Sequence, residues 1–360
     1  MADGNPSSKP DLSRSDKFET VAGKGKALMA EGKWVEAIAS LAEAVKVARQ
    51  ENRPDLEVQA YDLIGEALIK KGDRDKAEKY LVRALDLAKS KENWPGLAAT
   101  YKVFGYLAMQ KADREAAGKY YASMLELAEK QNLTGFQGRA HADLAQLAAD
   151  YGDMPKAIEG YKKAIDILEK TEGEEARHEL ARAYLNLGEA LEMYGDHARG
   201  LTYFEKAKDE CLRCADAHGR ALAEVGVAEC CMRLGFTVRA MEQLETARAD
   251  LMKLKDNAGL GEVYRISGAL MTAQANWNAA KSHLDRALNF LISGNPSPRY
   301  TTGLIRTYTD IGRMHRLKGD TEKMEKAFKD ARDLAAKLGS KRISDWVQRM
   351  SDGNDNFSKH

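Results

Sequence analysis

Residues 180–207 read LARAYLNLGEALEMYGDHARGLTYFEKA, helix-forming sequence punctuated by Gly188, Ala190, Gly195, Gly200 and Ala207. A glycine inside a helix is about 1 kcal/mol less favourable than alanine. Repeated glycines therefore need a packing or turning role that outweighs propensity, and the rest of the chain supplies one.

Aligned outward from this stretch, the same pattern recurs eight times. A small residue stands at Gly25, Gly65, Gly105, Ala145, Gly188, Ala228, Gly268 and Gly312, in steps of 40 residues broken by one of 43 and one of 44. Seven residues after each comes Gly32, Gly72, Ala112, Gly152, Gly195, Gly235, Ala275 or Gly319. Five further on stands Ala37, Ala77, Ala117, Ala157, Gly200, Ala240, Ala280 or Met324. A large residue follows four later (Leu41, Leu81, Tyr121, Tyr161, Phe204, Leu244, Leu284, Phe328), then Ala44, Ala84, Met124, Ala164, Ala207, Ala247, Ala287 or Ala331.

The spacing predicts a helix, a tight turn and a second antiparallel helix in each copy. Tyr184, Leu187, Gly188 and Leu191 hold the i, i+3, i+4, i+7 face of a first helix. Gly195 suits the positive φ of a helix C-cap. In the second helix, small residues admit a neighbouring backbone and the large residue between them fills the remaining space. Segments such as ENRPD, ENWPG and ISGNPSPR fall at the joints between copies, where Pro and Gly interrupt a helix.

This pattern resembles the tetratricopeptide repeat family over residues 18–338, and LNLGEALEMYGD is close to that family's first helix. The resemblance implies an all-α fold, a right-handed α-solenoid of eight helix-turn-helix repeats. Its 40-residue period is similar to the repeats of Pins-type adaptors and kinesin light chains. Met324 in the eighth copy fits an atypical terminal repeat. After Gly339, SKRISDWVQRM places Ile343, Trp346, Val347 and Met350 on one face. Residues 339–351 are thus expected to form a capping helix over the edge of the stack. The polar segments 1–17 and 352–360 are expected to be flexible tails.

Composition agrees with an all-helical chain: 44% of residues are hydrophobic, 31% are charged and only 7 of 360 are proline. Lys and Arg number 56 against 55 Asp and Glu. No overall field is therefore available to gather nucleic acid or an anionic membrane surface. MADGNPSSKPDLSRSDK has no apolar leader-like run, and Ala2 stands where N-myristoylation requires glycine. A cytoplasmic protein is the expectation.

Catalytic signatures are absent from the sequence: there is no phosphate loop, no His-Glu-x-x-His helix and no strand to host a nucleophile elbow. No enzyme activity, cofactor or metal is expected. Cys211, Cys214, Cys230 and Cys231 invite a zinc reading. Placed on antiparallel helices, however, the two pairs would be offset by roughly 9 Å, so buried thiols are the simpler expectation. His315 occupies a position where other copies place Leu68 or Leu191, and reads as packing.

A stack of helix pairs offers a concave surface lined by its first helices. The face turned away from the packing contacts holds Asp62 and Glu66 in the second copy, Lys102, Tyr106 and Met109 in the third, and Asp143 and Gln146 in the fourth. It continues through Asn186, Glu189 and Met193, then Glu229 and Met232, then Arg265, and ends at Arg306, Arg313 and Arg316. This predicts a peptide-binding groove, acidic with apolar spots in its middle and basic near its C-terminal end. Charge reversal at Glu189 and Glu192 is expected to weaken capture and leave the fold intact. The family's carboxylate clamp is not reproduced, since Ala22, Lys26 and Leu63 stand in its places. Asn186 resembles the asparagine with which Pins-type adaptors grip a partner's backbone. A non-enzymatic scaffold or adaptor for a protein or peptide partner is the leading expectation, and a self-assembling homo-oligomer the alternative.

Overall fold

A computed structural model describes residues 14–294 and 297–353. The described residues form seventeen helices and no strand. They make eight hairpins: α1 (Arg14–Ala30) with α2 (Trp34–Gln50), α3 (Pro54–Lys71) with α4 (Arg74–Ser90), α5 (Trp94–Gln110) with α6 (Arg114–Lys130), and α7 (Thr134–Asp150) with α8 (Met154–Leu168). There follow α9 (Glu174–Tyr194) with α10 (His197–Arg213), α11 (Ala217–Arg233) with α12 (Thr237–Lys253), α13 (Asn257–Ala273) with α14 (Trp277–Ile292), α15 (Pro298–Lys318) with α16 (Thr321–Leu338), and then α17 (Lys341–Ser351). This is the α-solenoid that the repeats predict. Helix α1 begins at Arg14, inside the segment expected as tail. The rest of the expected tails lies largely outside the described residues.

The chain divides into two compact units, Met1–Ala140 and His141–His360. In the first, Leu41, Ile64 and Leu81 are wholly buried. In the second, the core runs from Tyr161 and Leu187 through Ile266 and Leu284 to a cluster around Trp346.

The interlock of small against large is direct. A Cβ added at Gly65 would lie 2.6 Å from Leu81, at Gly105 2.2 Å from the Tyr121 ring, and at Gly188 2.9 Å from the Phe204 ring. Real Cβ atoms do not approach so closely, so each of these helices owes its distance to its partner to the missing methyl group.

All eight turn residues adopt the left-handed conformation. Six are glycines, from Gly32 at φ 73° to Gly195 at 98°, and two are alanines, Ala112 at 58° and Ala275 at 55°. The next residue starts the second helix, and Asp113, Asp153, Asp196, Asn276 and Asp320 each accept a backbone N–H there as N-cap. Left-handed geometry strains a residue bearing Cβ by roughly 1 kcal/mol. Ala112→Gly and Ala275→Gly are therefore each expected to raise stability by up to about 1 kcal/mol, read as a rise in denaturation midpoint.

Candidate functional site

In the first unit the candidate residues meet on α3 and α5. Asp62 is 6% exposed and shares a hydrogen bond with Thr100 Oγ1, at 3.0 Å from Oδ2, while Oδ1 has no partner. Thr100 Oγ1 also stands 2.9 Å from the Gly96 carbonyl, which can only accept. Thr100 Oγ1 thus has a single proton to share between the Asp62 carboxyl and the Gly96 carbonyl, and Asp62 is left poorly solvated. Burial accordingly drives the Asp62 carboxyl well above the usual range, against the pull of Thr100 and Lys102. Glu66 faces Lys102 at 3.6 Å, Tyr106 is half-buried beside it, and Met109 is half-buried at the end of α5.

An acid raised in this way holds its proton in the folded state at pH values where the unfolded chain has lost it. Its contribution to stability is therefore present below the unfolded value and declines as pH rises from the ordinary carboxylate range. Asp62→Asn is expected to flatten that decline and to exceed the wild type at pH 8 by about 1 kcal/mol or more, measured by denaturant titration across pH.

In the second unit the first helices bring the charges of the sequence reading into contact with one another. Arg265, wholly buried, hydrogen-bonds Glu229 at 2.6 Å, Glu262 at 2.8 Å and Asp310 at 2.8 Å. Arg306 meets Glu192 at 2.8 Å, Glu229 at 3.3 Å and Glu262 at 3.5 Å. Arg233 faces Glu229 at 3.6 Å, and Arg313 faces Asp310 at 3.0 Å. Four carboxylates and four guanidiniums thus tie α9, α11, α13 and α15 together. Burial and the facing Glu229 push Glu192 up to about 7. Burial works on Glu229 in the same direction, but Arg265, Arg306 and Arg233 overrule it and hold that carboxyl far below its usual range.

Glu192 is 4% exposed and paired with Arg306. Reversing its charge would set two cations together in the interior, so the expectation that such a variant keeps the fold intact is corrected. Glu189, by contrast, lies at the surface, 41% exposed, 3.3 Å from Arg342.

Beside this network is a pocket of about 430 Å³ whose lining includes Asn186, Glu189, Glu229 and Arg306 together with Leu185, Val225 and Arg342. Of the other candidates in this unit, Met193 lies under α17, Met232 is buried in the core, and Arg316 donates to the Met350 and Ser351 carbonyls. Gln146 accepts from Tyr161 and donates to Asp150, and Asp143 is half-buried nearby on α7. Glu262 and Arg342 line the pocket yet escaped the sequence reading. For Glu262 the available signal was its complementarity to Arg265 and Arg306.

The four cysteines are buried free thiols, and burial pushes Cys211 up to about 12. His315 is largely buried at 14% side-chain exposure, near Asp320. No helix among the described residues is long and apolar enough to cross a membrane.

α17 packs on α15 and α16 and also reaches back to the end of α9. Ile343, Trp346 and Val347 are buried against Met193, Ile305, Ala331 and Ala335. Arg349 donates to the Met193 carbonyl at 2.7 Å.

Residues 18–90 match the sequence model of the tetratricopeptide repeat family. No curated protein sequence matches the chain. Among solved structures, the apo form of RapI shares 14% identity at a TM-score of 0.56, covering 94% of this chain and 97% of that one. A Rap protein complexed with competence and sporulation factor shares 14% at 0.57, covering 96% and 99%. The apo quorum sensor NprR from B. thuringiensis shares 14% at 0.58, covering 90% and 89%. At such identities the likeness is one of fold. Residues 18–90, the first two hairpins, thus match tetratricopeptide repeats, and the described residues continue in the same all-helical hairpin fold.

Proposed function

We propose that the protein is a non-enzymatic scaffold that captures a short peptide segment of a partner protein in the pocket between α9, α11, α13 and α15. The observation that carries this reading is the pocket itself. About 430 Å³ of space lies among first helices, with Leu185, Leu222 and Val225 beside Asn186, Glu189 and Arg299. Apolar walls with a few polar groups suit a peptide side chain and its backbone. The similar Rap protein was solved with competence and sporulation factor bound, which supports a binding role for this fold.

The test is a library of short peptides displayed on phage, selected on the wild type and then titrated against Asn186→Ala and Glu189→Arg. Both residues are partly exposed, so the variants should fold. Selected peptides are expected to bind each variant at least about 10-fold more weakly, a loss of roughly 1.4 kcal/mol. Undiminished binding to both variants overturns the reading.

Self-assembly has one observation in its favour. Phe236, Val238 and Met241 are 52%, 73% and 51% exposed around the start of α12. Light scattering that finds a monomer at high concentration removes this second reading.

A further inference from the structure

We propose that the seat of α17 is a helix-docking surface occupied by the chain's own C-terminal helix. A partner gains it by presenting an amphipathic helix whose apolar i, i+3, i+4 triad is flanked by arginines.

The seat is chemically specific. Met193, Ile305, Ala331 and Ala335 form an apolar floor for Ile343, Trp346 and Val347. At one end, the Met193 carbonyl belongs to the last turn of α9, where helix geometry leaves carbonyls without an internal donor and favours a cation; Arg349 fills that role. At the other end, the Glu189 carboxylate receives Arg342. Two anionic or acceptor groups bracketing an apolar trough select a basic-flanked helix.

The resident helix fits this seat imperfectly. Ser340 Oγ and Arg342 Nε are buried with no hydrogen-bond partner, and so is Arg306 Nε, whose guanidinium lies 5.9 Å from the Trp346 ring. Buried donors left unmade oppose seating. At 11 residues α17 is also too short to persist as a helix alone, so leaving the seat means unfolding. What holds it there is its tether: Gly339 and Ser340 join it directly to α16, which keeps its effective concentration at about the millimolar level. The Ser340 and Arg342 orphans leave with the resident helix, so an occupant that brings none of its own and offers Arg306 Nε an acceptor can compete. The seat also adjoins the pocket, since Arg342 lines both. The partner's identity rests on the capture reading above, but the seat is tested without any partner.

The probe is a fluorescein-labelled synthetic peptide of residues 340–353, titrated into the full-length wild type and into full-length Ile343→Asp/Val347→Asp, whose own helix no longer suits the floor. The peptide is expected to bind the double variant at least about 30-fold more tightly than the wild type, because the tethered competitor is gone. A peptide carrying Arg349→Ala should lose at least about 10-fold. A double variant that keeps its helical circular dichroism and cooperative melt yet takes up no peptide overturns the proposal, as does equal binding to both proteins.

Should the double variant fail to fold, hydrogen exchange of the wild type decides. Faster exchange in α17 at excess unlabelled peptide supports a shared seat, and unchanged exchange at millimolar peptide refutes it. Asn186→Ala lies outside the seat and should leave uptake of this peptide unaltered, so failure of pocket capture and failure of the seat are read separately.

Discussion

Arg265→Met is expected to destabilise the second unit by about 3–5 kcal/mol, the range found when one partner of a buried ion network is removed. Methionine fills much of the volume, so the loss is electrostatic. Glu229 would retain Arg306 and Arg233, and Asp310 would retain Arg313, but the interior would carry one uncompensated negative charge. The deficit should also depend on pH in a defined direction. Glu229 is held far below the usual carboxylate range in the wild type, so its stabilising contribution is present above the unfolded value and is lost as pH falls through the folded one. In the variant its carboxyl takes up a proton more readily, and the gap between the two proteins should narrow from pH 7 to pH 4. Denaturant titrations at several pH values measure both effects. Lys281→Met, which breaks a pair 69% and 51% exposed, should change stability by less than about 1 kcal/mol and serves as the control.

The second large effect is expected at Phe204. Its ring is 6% exposed and is held between Gly188 and Gly226, where added Cβ atoms would fall at 2.9 and 2.4 Å from it. Phe204→Ala should cost about 3–5 kcal/mol. The space it leaves joins the neighbouring pocket, of which Phe204 is one wall. The glycines make the prediction sharper. In the wild type, Gly226→Ala forces its new methyl into the ring and should destabilise by about 1–3 kcal/mol. In the Phe204→Ala background that clash is gone, and the same substitution gains helix propensity of about 1 kcal/mol. A double-mutant cycle should therefore show the sign of Gly226→Ala reverse; an additive cycle would contradict the interlock.

The repeat register was legible because it is one-dimensional. A small residue and a large one sixteen positions later, as at Gly188 and Phe204, meet across a hairpin whose turn lies between them. Alignment alone also picked out Ala112 and Ala275 as turn residues, although alanine gives no local sign of positive φ. The fate of the charges was less legible. Glu229, Arg265 and Arg306 stand where a polar first-helix face was expected, and their burial arises from contacts between distant segments. Arg306 meets Glu192 114 residues away, and Arg349 meets Met193 156 residues away. Opposite signs at neighbouring repeat positions were in the sequence; that they face inward depends on four helices and α17 converging, which no local pattern encodes.

The left-handed turns make the chain divisible at regular intervals. Gly72 and Ala112 share a backbone conformation and are each followed by Asp. Excising residues 73–112 would join Gly72 to Asp113 with the turn and its cap preserved. Helix α3 would then pair with α6, setting Gly65 against Tyr121 as Gly105 is now. The seam lies where the conformation is already fixed, so a hairpin of the first unit can be lost or duplicated with its turns unchanged, whereas in the second unit the ion network from α9 to α15 ties the hairpins to a fixed order.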